Sequence, residues 1–247
     1  MDRLDLTVQT GEVFGLLGPN GAGKTTVIKM LTTLLPPTSG HAMVAGFDIQ
    51  RQPARVRAAI GYVPQLVSVD GSLTGYENLL IFAKLYGVPR SERRERIAAS
   101  LEFVGLHNAA YRMVRGYSGG MMRRLEIALA MLHRPRVLFM DEPTVGLDPL
   151  ARQAVWERVQ SLVEEFSMTI FLTTHFMEEA DHLCDRVAIM NLGQVAALGR
   201  PEELKASMGK ADATLDEVFA HYTGHELDNG GNFREISRTR RSIARLG

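Results

Sequence analysis

The stretch that most constrains this chain is Gly18-Pro19-Asn20-Gly21-Ala22-Gly23-Lys24-Thr25. It reads as Gly, four residues, then Gly-Lys-Thr, a pattern whose glycines let successive backbone N–H groups turn inward around phosphate oxygens. A helix starting near Lys24 aims the positive end of its dipole at the same point. Lys24 then reaches the β- and γ-phosphates, the Thr25 hydroxyl completes a Mg²⁺ shell, and Thr26 follows in the same first turn. A Gly-rich turn that binds nothing has similar letters, so the flanks decide. Glu12–Leu17 reads as a strand, and Val27, Ile28, Leu31, Leu34 and Leu35 read as the apolar face of a helix. Strand, loop and helix in that order imply a nucleoside-triphosphate site.

The rest of the chain alternates in the way such a site requires. Leu4, Leu6 and Val8 alternate with polar residues as in a half-buried strand, and His41–Gly46 reads as another short one. A helix over residues 53–59 leads to a strand Ile60–Val63, directly followed by Gln65. Residues 66–135 then turn helical. One helix runs Glu77–Tyr86, one is N-capped by Ser91 and ended by Gly105, and one begins near Gly119 with Met121, Leu125, Ala128, Leu129 and Leu132 as its stripe. From Arg136 the α/β alternation resumes. Val137–Met140 is apolar throughout, as in a central parallel strand, and is followed by a helix over Leu150–Phe166 and a strand Thr169–Leu172. A helix at Met177–Leu183, paired strands Arg186–Met190 and Val195–Leu198, and a helix opened by Pro201 complete the core. Residues 206–247 are expected to hold a C-terminal helix and then a loosely held polar tail, in which Arg234, Arg238, Arg240, Arg241 and Arg245 accompany one acid, Glu235.

Bulk properties exclude several classes. Lys plus Arg equals Asp plus Glu at 28 each, so no global field favours nucleic acid. The single cysteine, Cys184, excludes a disulfide framework within the chain and a cysteine-based zinc cluster, and its apolar surroundings suit a buried thiol. No signal peptide is read, and no apolar run approaches the roughly 18 residues of a membrane span. The chain is expected to be cytosolic, with another chain supplying any spans.

Three more stretches carry chemistry. The apolar strand ending in Asp141-Glu142 presents carboxylates at the sheet's carboxyl edge, where Asp141 would hold Mg²⁺ directly or through water and Glu142 would orient or deprotonate the attacking water. Gln65 and His175 each follow a strand end; taken alone a loop Gln carries little signal and a lone His there is more often structural, while beside a phosphate loop they could reach the metal or lytic water and the γ-phosphate respectively. Tyr117-Ser118-Gly119-Gly120-Met121 sets Ser, two glycines and a helix N-terminus together, a second anion cradle without a lysine. One Mg²⁺ site and two phosphate cradles suggest that two copies share each nucleotide.

These residues resemble the ATP-binding cassette (ABC) ATPases from about residue 4 to 222. Gly18–Thr25 is similar to Walker A, Gln65 to the Q-loop, Ser118-Gly119-Gly120 to the signature motif and Val137–Glu142 to Walker B. Gly146-Leu147-Asp148 is similar to the D-loop and His175 to the switch histidine. Tyr117–Met121, Thr173–Asp181 and Thr214–Phe219 further resemble the ATPase subunits of ABC-2-type drug exporters, the daunorubicin-resistance group. The resemblance implies an α/β fold: a P-loop NTPase (RecA-like) core with a small antiparallel β subdomain and an inserted α-helical subdomain. It divides 1–222 into a catalytic core (1–65 and 136–205) and a helical signature subdomain (66–135).

The implied cofactors are ATP and Mg²⁺. Lys24, Gln65, Glu142 and His175 would be catalytic, and Thr25, Gln65 and Asp141 would serve the metal. Gly18 to Thr26, Ser118, Gly119, Gly120 and Asp148 would contact nucleotide. The implied assembly is a homodimer or pseudo-symmetric dimer, peripheral on the inner face of a membrane through a permease that docks on the helical subdomain. The function implied is to power export of drugs or other small hydrophobic compounds. The alternative is a non-transport ABC ATPase on nucleic acid or ribosomes, whose usual coiled coils, zinc cysteines or second cassette are not seen in this sequence. An ordinary P-loop kinase or GTPase has no use for the cradle at Ser118. Two departures stand out. Tyr117 and Met121 replace the Leu and Gln common in the signature, and only 17 residues precede Gly18, so the expectation is that the family's first strand and adenine-stacking aromatic lie upstream of Met1 or that adenine is held less firmly here.

Overall fold

The computed structural model describes residues 4–210 and 212–224; the expected Arg-rich tail lies outside them. Five strands run parallel. They are β1 (Val13–Leu17), β4 (Ile60–Val63), β5 (Val137–Asp141), β6 (Thr169–Thr174) and β7 (Arg186–Asn191), with β8 (Gln194–Gly199) antiparallel on β7. The sheet order is β4-β5-β6-β1-β7-β8, and a separate two-stranded antiparallel sheet pairs β2 (Met43–Val44) with β3 (Phe47–Asp48). Helices follow in chain order: α1 (Lys24–Leu31), α2 (Pro53–Ala59), α3 (Gly75–Leu85), α4 (Arg90–Phe103), α5 (Gly119–Met131), α6 (Pro149–Phe166), α7 (Met177–Leu183), α8 (Pro201–Ser207) and α9 (Leu215–Thr223). This is the α/β P-loop core that the sequence implies, with its antiparallel part small and α3–α5 lying between β4 and β5.

The core explains the order. β1 is buried at every residue and β6 likewise, because helices cover both faces of a parallel sheet. Phe14, Phe139 and Phe171 stack across neighbouring strands on one face, at centroid distances of 5.5 Å. On the other face Leu17, Leu138, Leu172 and Ile189 join the buried residues of α5, α6 and α7 in one cluster. Placing β6 between β1 and β5 sets the P-loop and the Asp141–Glu142 carboxylates on either side of Thr173-Thr174 at one edge.

Several boundaries differ from the expectations, each for a local reason. Leu4, Leu6 and Val8 do alternate in burial, but they form no strand, since none of the described residues pairs with them. The P-loop helix ends at Leu31, leaving Leu34 60% and Leu35 41% exposed rather than on its apolar face. Thr32 turns its hydroxyl back to Ile28 O (2.7 Å), Thr33 takes a left-handed φ of 64°, and both leucine amides fold onto Lys29 O. His41–Gly46 is half of a hairpin whose turn, Ala45-Gly46, has both φ values positive, as a tight two-residue loop demands. Ser91 does not cap its helix. Pro89 occupies the N-cap and its carbonyl takes the amides of Glu92 and Arg93 at 2.9 and 3.2 Å, so Ser91 lies inside the first turn.

α3 opens with a capping box in which Thr74 and Glu77 satisfy each other's backbone amides. Ser118 and Asp148 cap α5 and α6 by accepting from Met121 N (3.2 Å) and Ala151 N (2.9 Å). Cys184 is buried, its thiol pushed well above its usual range by burial, in keeping with a structural role. None of the described helices is long and apolar enough to cross a membrane.

Candidate functional site

At the sheet's carboxyl edge the chain between β1 and α1 folds into a loop around a cavity of about 210 Å³, lined by Pro19, Asn20, Gly21, Gly23, Lys24, Thr25, Thr26, Gln65 and Glu142. Its shape depends on glycine at two places. Gly23 adopts φ 105° at the N-cap of α1, which side chains rarely tolerate. At Gly18 a Cβ would sit 2.7 Å from Met190 O, so any larger residue would force the loop off the sheet. With Gly23 lacking a cap side chain, the first amides of α1 have no intrahelical acceptor and face the cavity as anion donors.

Four side chains predicted from the sequence meet here. Lys24, only 5% exposed, donates to Gly18 O (2.7 Å) and Pro19 O (3.3 Å) and lies 3.3 Å from Glu142 Oε1. Gln65 Nε2 donates to Glu142 Oε2 at 2.9 Å. His175 Nδ1 lies 3.3 Å from Glu142 Oε1, close but not aligned as a hydrogen bond. Its ring packs on Phe176, 4.2 Å between centroids, and the Arg152 guanidinium covers Phe176 at 4.6 Å.

Glu142 is the hub, and its backbone is strained. Its φ of 48° is left-handed, which costs a non-glycine residue about 1–2 kcal/mol. The Glu142 amide donates to Thr173 O and to Thr173 Oγ1, both at 3.1 Å, and these bonds hold it there. Burial pushes its carboxyl up, but His175 and Lys24 beside it outweigh burial and hold it below the ordinary 4.5. A carboxyl lowered on folding contributes stability that is complete above its unfolded pKa and is lost as pH falls through the folded one. The melting-temperature difference between the wild type and Glu142→Gln should therefore move against the wild type as pH falls below about 4.5; a difference that stays constant down to pH ~3 would contradict this carboxyl environment.

Asp141, 1% exposed, accepts from Thr173 Oγ1 (2.6 Å) and from Thr25 Oγ1 (3.3 Å). A hydroxyl and a carboxylate side by side are hard oxygen donors of the kind Mg²⁺ takes alongside substrate phosphates and water. Among the described residues no cluster of three His, Cys, Asp or Glu could hold a metal alone. The donor set of Thr25 and Asp141 fits Mg²⁺. Gln65 presents its amide nitrogen to Glu142, so only its carbonyl oxygen is left for a metal.

The other expected contacts are elsewhere. Ser118, Gly119, Gly120 and Asp148 do not line this cavity. Gly120 is buried against α6, where a Cβ would come within 2.8 Å of Ala151 Cβ, so its small size serves helix packing as well. Tyr117 is a core pin, its hydroxyl donating to Ala109 O (2.7 Å). Met121 Sδ takes Arg112 Nη2 at 3.4 Å in place of anything a Gln would do. Thr173 was not among the expected site residues, and the signal for it is a hydroxyl residue at the end of an otherwise apolar strand. The buried Glu179, bonded to Thr144 Oγ1 (2.7 Å) and Trp156 Nε1 (3.0 Å), likewise braces the segment after Glu142 from behind.

The chain matches the family described as ABC transporter over residues 1–145. It is 48% identical over 209 residues to the daunorubicin/doxorubicin resistance ATP-binding protein DrrA of Streptomyces peucetius, covering 85% of this chain and 63% of that one. It is 47% identical to the Nod factor export ATP-binding protein I of Cupriavidus metallidurans, covering 83% and 67%. This chain thus spans about two thirds of the length of these curated relatives. A solved ATP-binding subunit of an ABC transporter superposes with a TM-score of 0.77 at 31% identity, covering 88% of this chain and 90% of that one. A dimeric post-hydrolysis ATP-binding cassette bound to ADP and Pi superposes with a TM-score of 0.70 at 27% identity, covering 79% and 88%.

Proposed function

This chain belongs to the ABC transporter family, and we propose that it is the ATP-hydrolysing subunit that powers a membrane exporter of drugs or other small hydrophobic compounds. The observation that carries the reading is the convergence on Glu142 of Lys24 from the phosphate loop, Gln65 from the end of β4 and His175 from the end of β6. Relatives named for drug resistance and Nod factor export support the choice of cargo class.

In this mechanism the loop amides and Lys24 bind the β- and γ-phosphates, and Lys24 exchanges its loop carbonyls for phosphate oxygens. Thr25 and Asp141 would hold Mg²⁺, which would supply positive charge against the phosphates. Glu142, kept ionised by its neighbours, takes the proton of the attacking water, which Gln65 orients. His175 hydrogen-bonds the γ-phosphate. Ser118, Gly119 and Gly120, with Asp148 near them, close over the ATP of a second copy, so each site is completed in trans. The helical lobe, residues 66–135, receives the permease, and 1–65 with 136–205 form the catalytic core. The subunit then works on the cytoplasmic face of the membrane through that permease.

The test is to recover the tagged chain from gently solubilised membranes and assay it. An integral membrane protein should co-purify, and Mg²⁺-dependent ATP turnover per chain should fall on dilution, because the competent species is a dimer. Recovery with ribosomes or nucleic acid and without a membrane protein would overturn the transport reading. Constant specific activity down to the monomer range would overturn the shared site.

A further inference from the structure

The helix that carries the signature cradle also carries a buried charged pair that the mechanism above does not use. Arg123 and Glu126, 3% and 2% exposed, lie one to two turns into α5, on the face turned toward the segment after β4. Arg123 Nη1 donates to Pro64 O (2.5 Å) and to Glu126 Oε2 (3.1 Å), and Nη2 donates to Gln65 O (2.9 Å). Glu126 Oε1 accepts from Ser68 N (2.5 Å) and Ser68 Oγ (2.9 Å). β4 ends at Val63, so the Pro64 and Gln65 carbonyls have left the sheet and Arg123 supplies the donors it no longer provides.

Burying a guanidinium and a carboxylate is a poor route to stability, since well-packed apolar residues often serve as well, and such pairs are better explained by the geometry they fix. What is fixed here is Gln65, whose side chain reaches Glu142 Oε2 at 2.9 Å. Further along α5 the helix is keyed to β4 directly, because a Cβ on Gly61 would lie 2.4 Å from Ala130 O. Ser118, the N-cap of α5, lies five positions before Arg123 on the same rigid helix.

We propose that Arg123, braced by Glu126, is a positioning residue that sets Gln65 against Glu142 and ties both to the Ser118 end of α5. Closure of a second copy's nucleotide on Ser118 is then felt at the water-activating carboxylate through one helix and two side chains. The inference rests on the roles given to Gln65 and Glu142 under the proposed function.

Two measurements on the full chain test it. The first is hydrogen exchange. In Arg123→Met, amides of residues 65–68 should exchange faster while those of β5 and the rest of α5 keep their protection. The second is kinetic. Arg123→Met should lower kcat about 5- to 30-fold with little change in the KM for ATP, as expected for coupling passed through an intermediary. Arg123→Lys, able to meet one carbonyl, should recover part of the loss. In a Gln65→Ala background Arg123→Met should cost nothing further, because its intermediary is already gone. Unchanged exchange at 65–68, or a full multiplicative loss in the Gln65→Ala background, overturns the proposal. Should the wild-type chain turn over no ATP, the proposed function falls, and the exchange result alone decides whether Arg123 holds the loop.

Discussion

Glu142→Gln should keep nucleotide and Mg²⁺ binding and lose ATP turnover by roughly 10²- to 10⁴-fold, the range of a general base. The reason is local. A Gln at this position keeps the side chain's shape and one oxygen that can accept from Gln65 Nε2, and the bonds of Lys24 to Gly18 O and Pro19 O do not involve the carboxylate. The phosphate cradle is therefore left intact, and only the capacity to take a proton is lost. Because ATP would persist in both sites, the variant should accumulate as a closed dimer, visible as an earlier peak in size-exclusion chromatography with ATP present. Near-normal turnover would move the base to another group, and loss of nucleotide binding would show that the Lys24–Glu142 contact at 3.3 Å organises the cradle itself.

The second large effect concerns sharing of the site between two chains. Lys24→Ala removes the phosphate-binding cation, and Ser118→Arg fills the opposing cradle; each variant alone should be nearly inactive. Mixed, they form heterodimers with one site carrying both lesions and one site carrying none. At equal amounts half the dimers are mixed, so activity should return to about a quarter of wild type if the two sites work independently. Ser118→Arg also removes the cap on Met121 N, at a cost of about 1 kcal/mol, so its folding is checked by thermal melting before mixing. Absence of rescue at every ratio, with both variants folded and dimeric, would mean that one chain completes its own site.

Much of the site was legible in the letters because its chemistry is local in sequence. The loop from Gly18 to Thr25 is one turn of backbone, so the glycines that allow it and the lysine that uses it must be adjacent. The apolar strand before Asp141 could be read the same way, because a strand buried on both faces has no polar alternation to hide it. Expectations that rested on periodicity alone fared less well. Leu34 and Leu35 continued the helical spacing but lie past the turn at Thr33, and Leu4 to Val8 kept a strand's alternation without a partner strand. Periodicity reports which side faces the core and does not report where hydrogen bonding stops.

The sequence by itself determined the α/β class, the phosphate loop, the Asp141–Glu142 pair and the helices lying between β4 and β5. Only the tertiary structure decided what these groups do to one another. It placed Thr173, 31 positions from Glu142, where its hydroxyl meets both Asp141 and the Glu142 amide. It put Arg123, 58 positions from Gln65, on that residue's carbonyl, a role invisible in a run that reads Met-Met-Arg-Arg. It also put Glu142 into a left-handed backbone with Lys24 and His175 on one oxygen and Gln65 on the other. The physical reason is that a parallel sheet orders its strands by packing rather than by position in the chain. Which side chains meet at its carboxyl edge is therefore set by the order β5-β6-β1, which no local pattern of residues encodes.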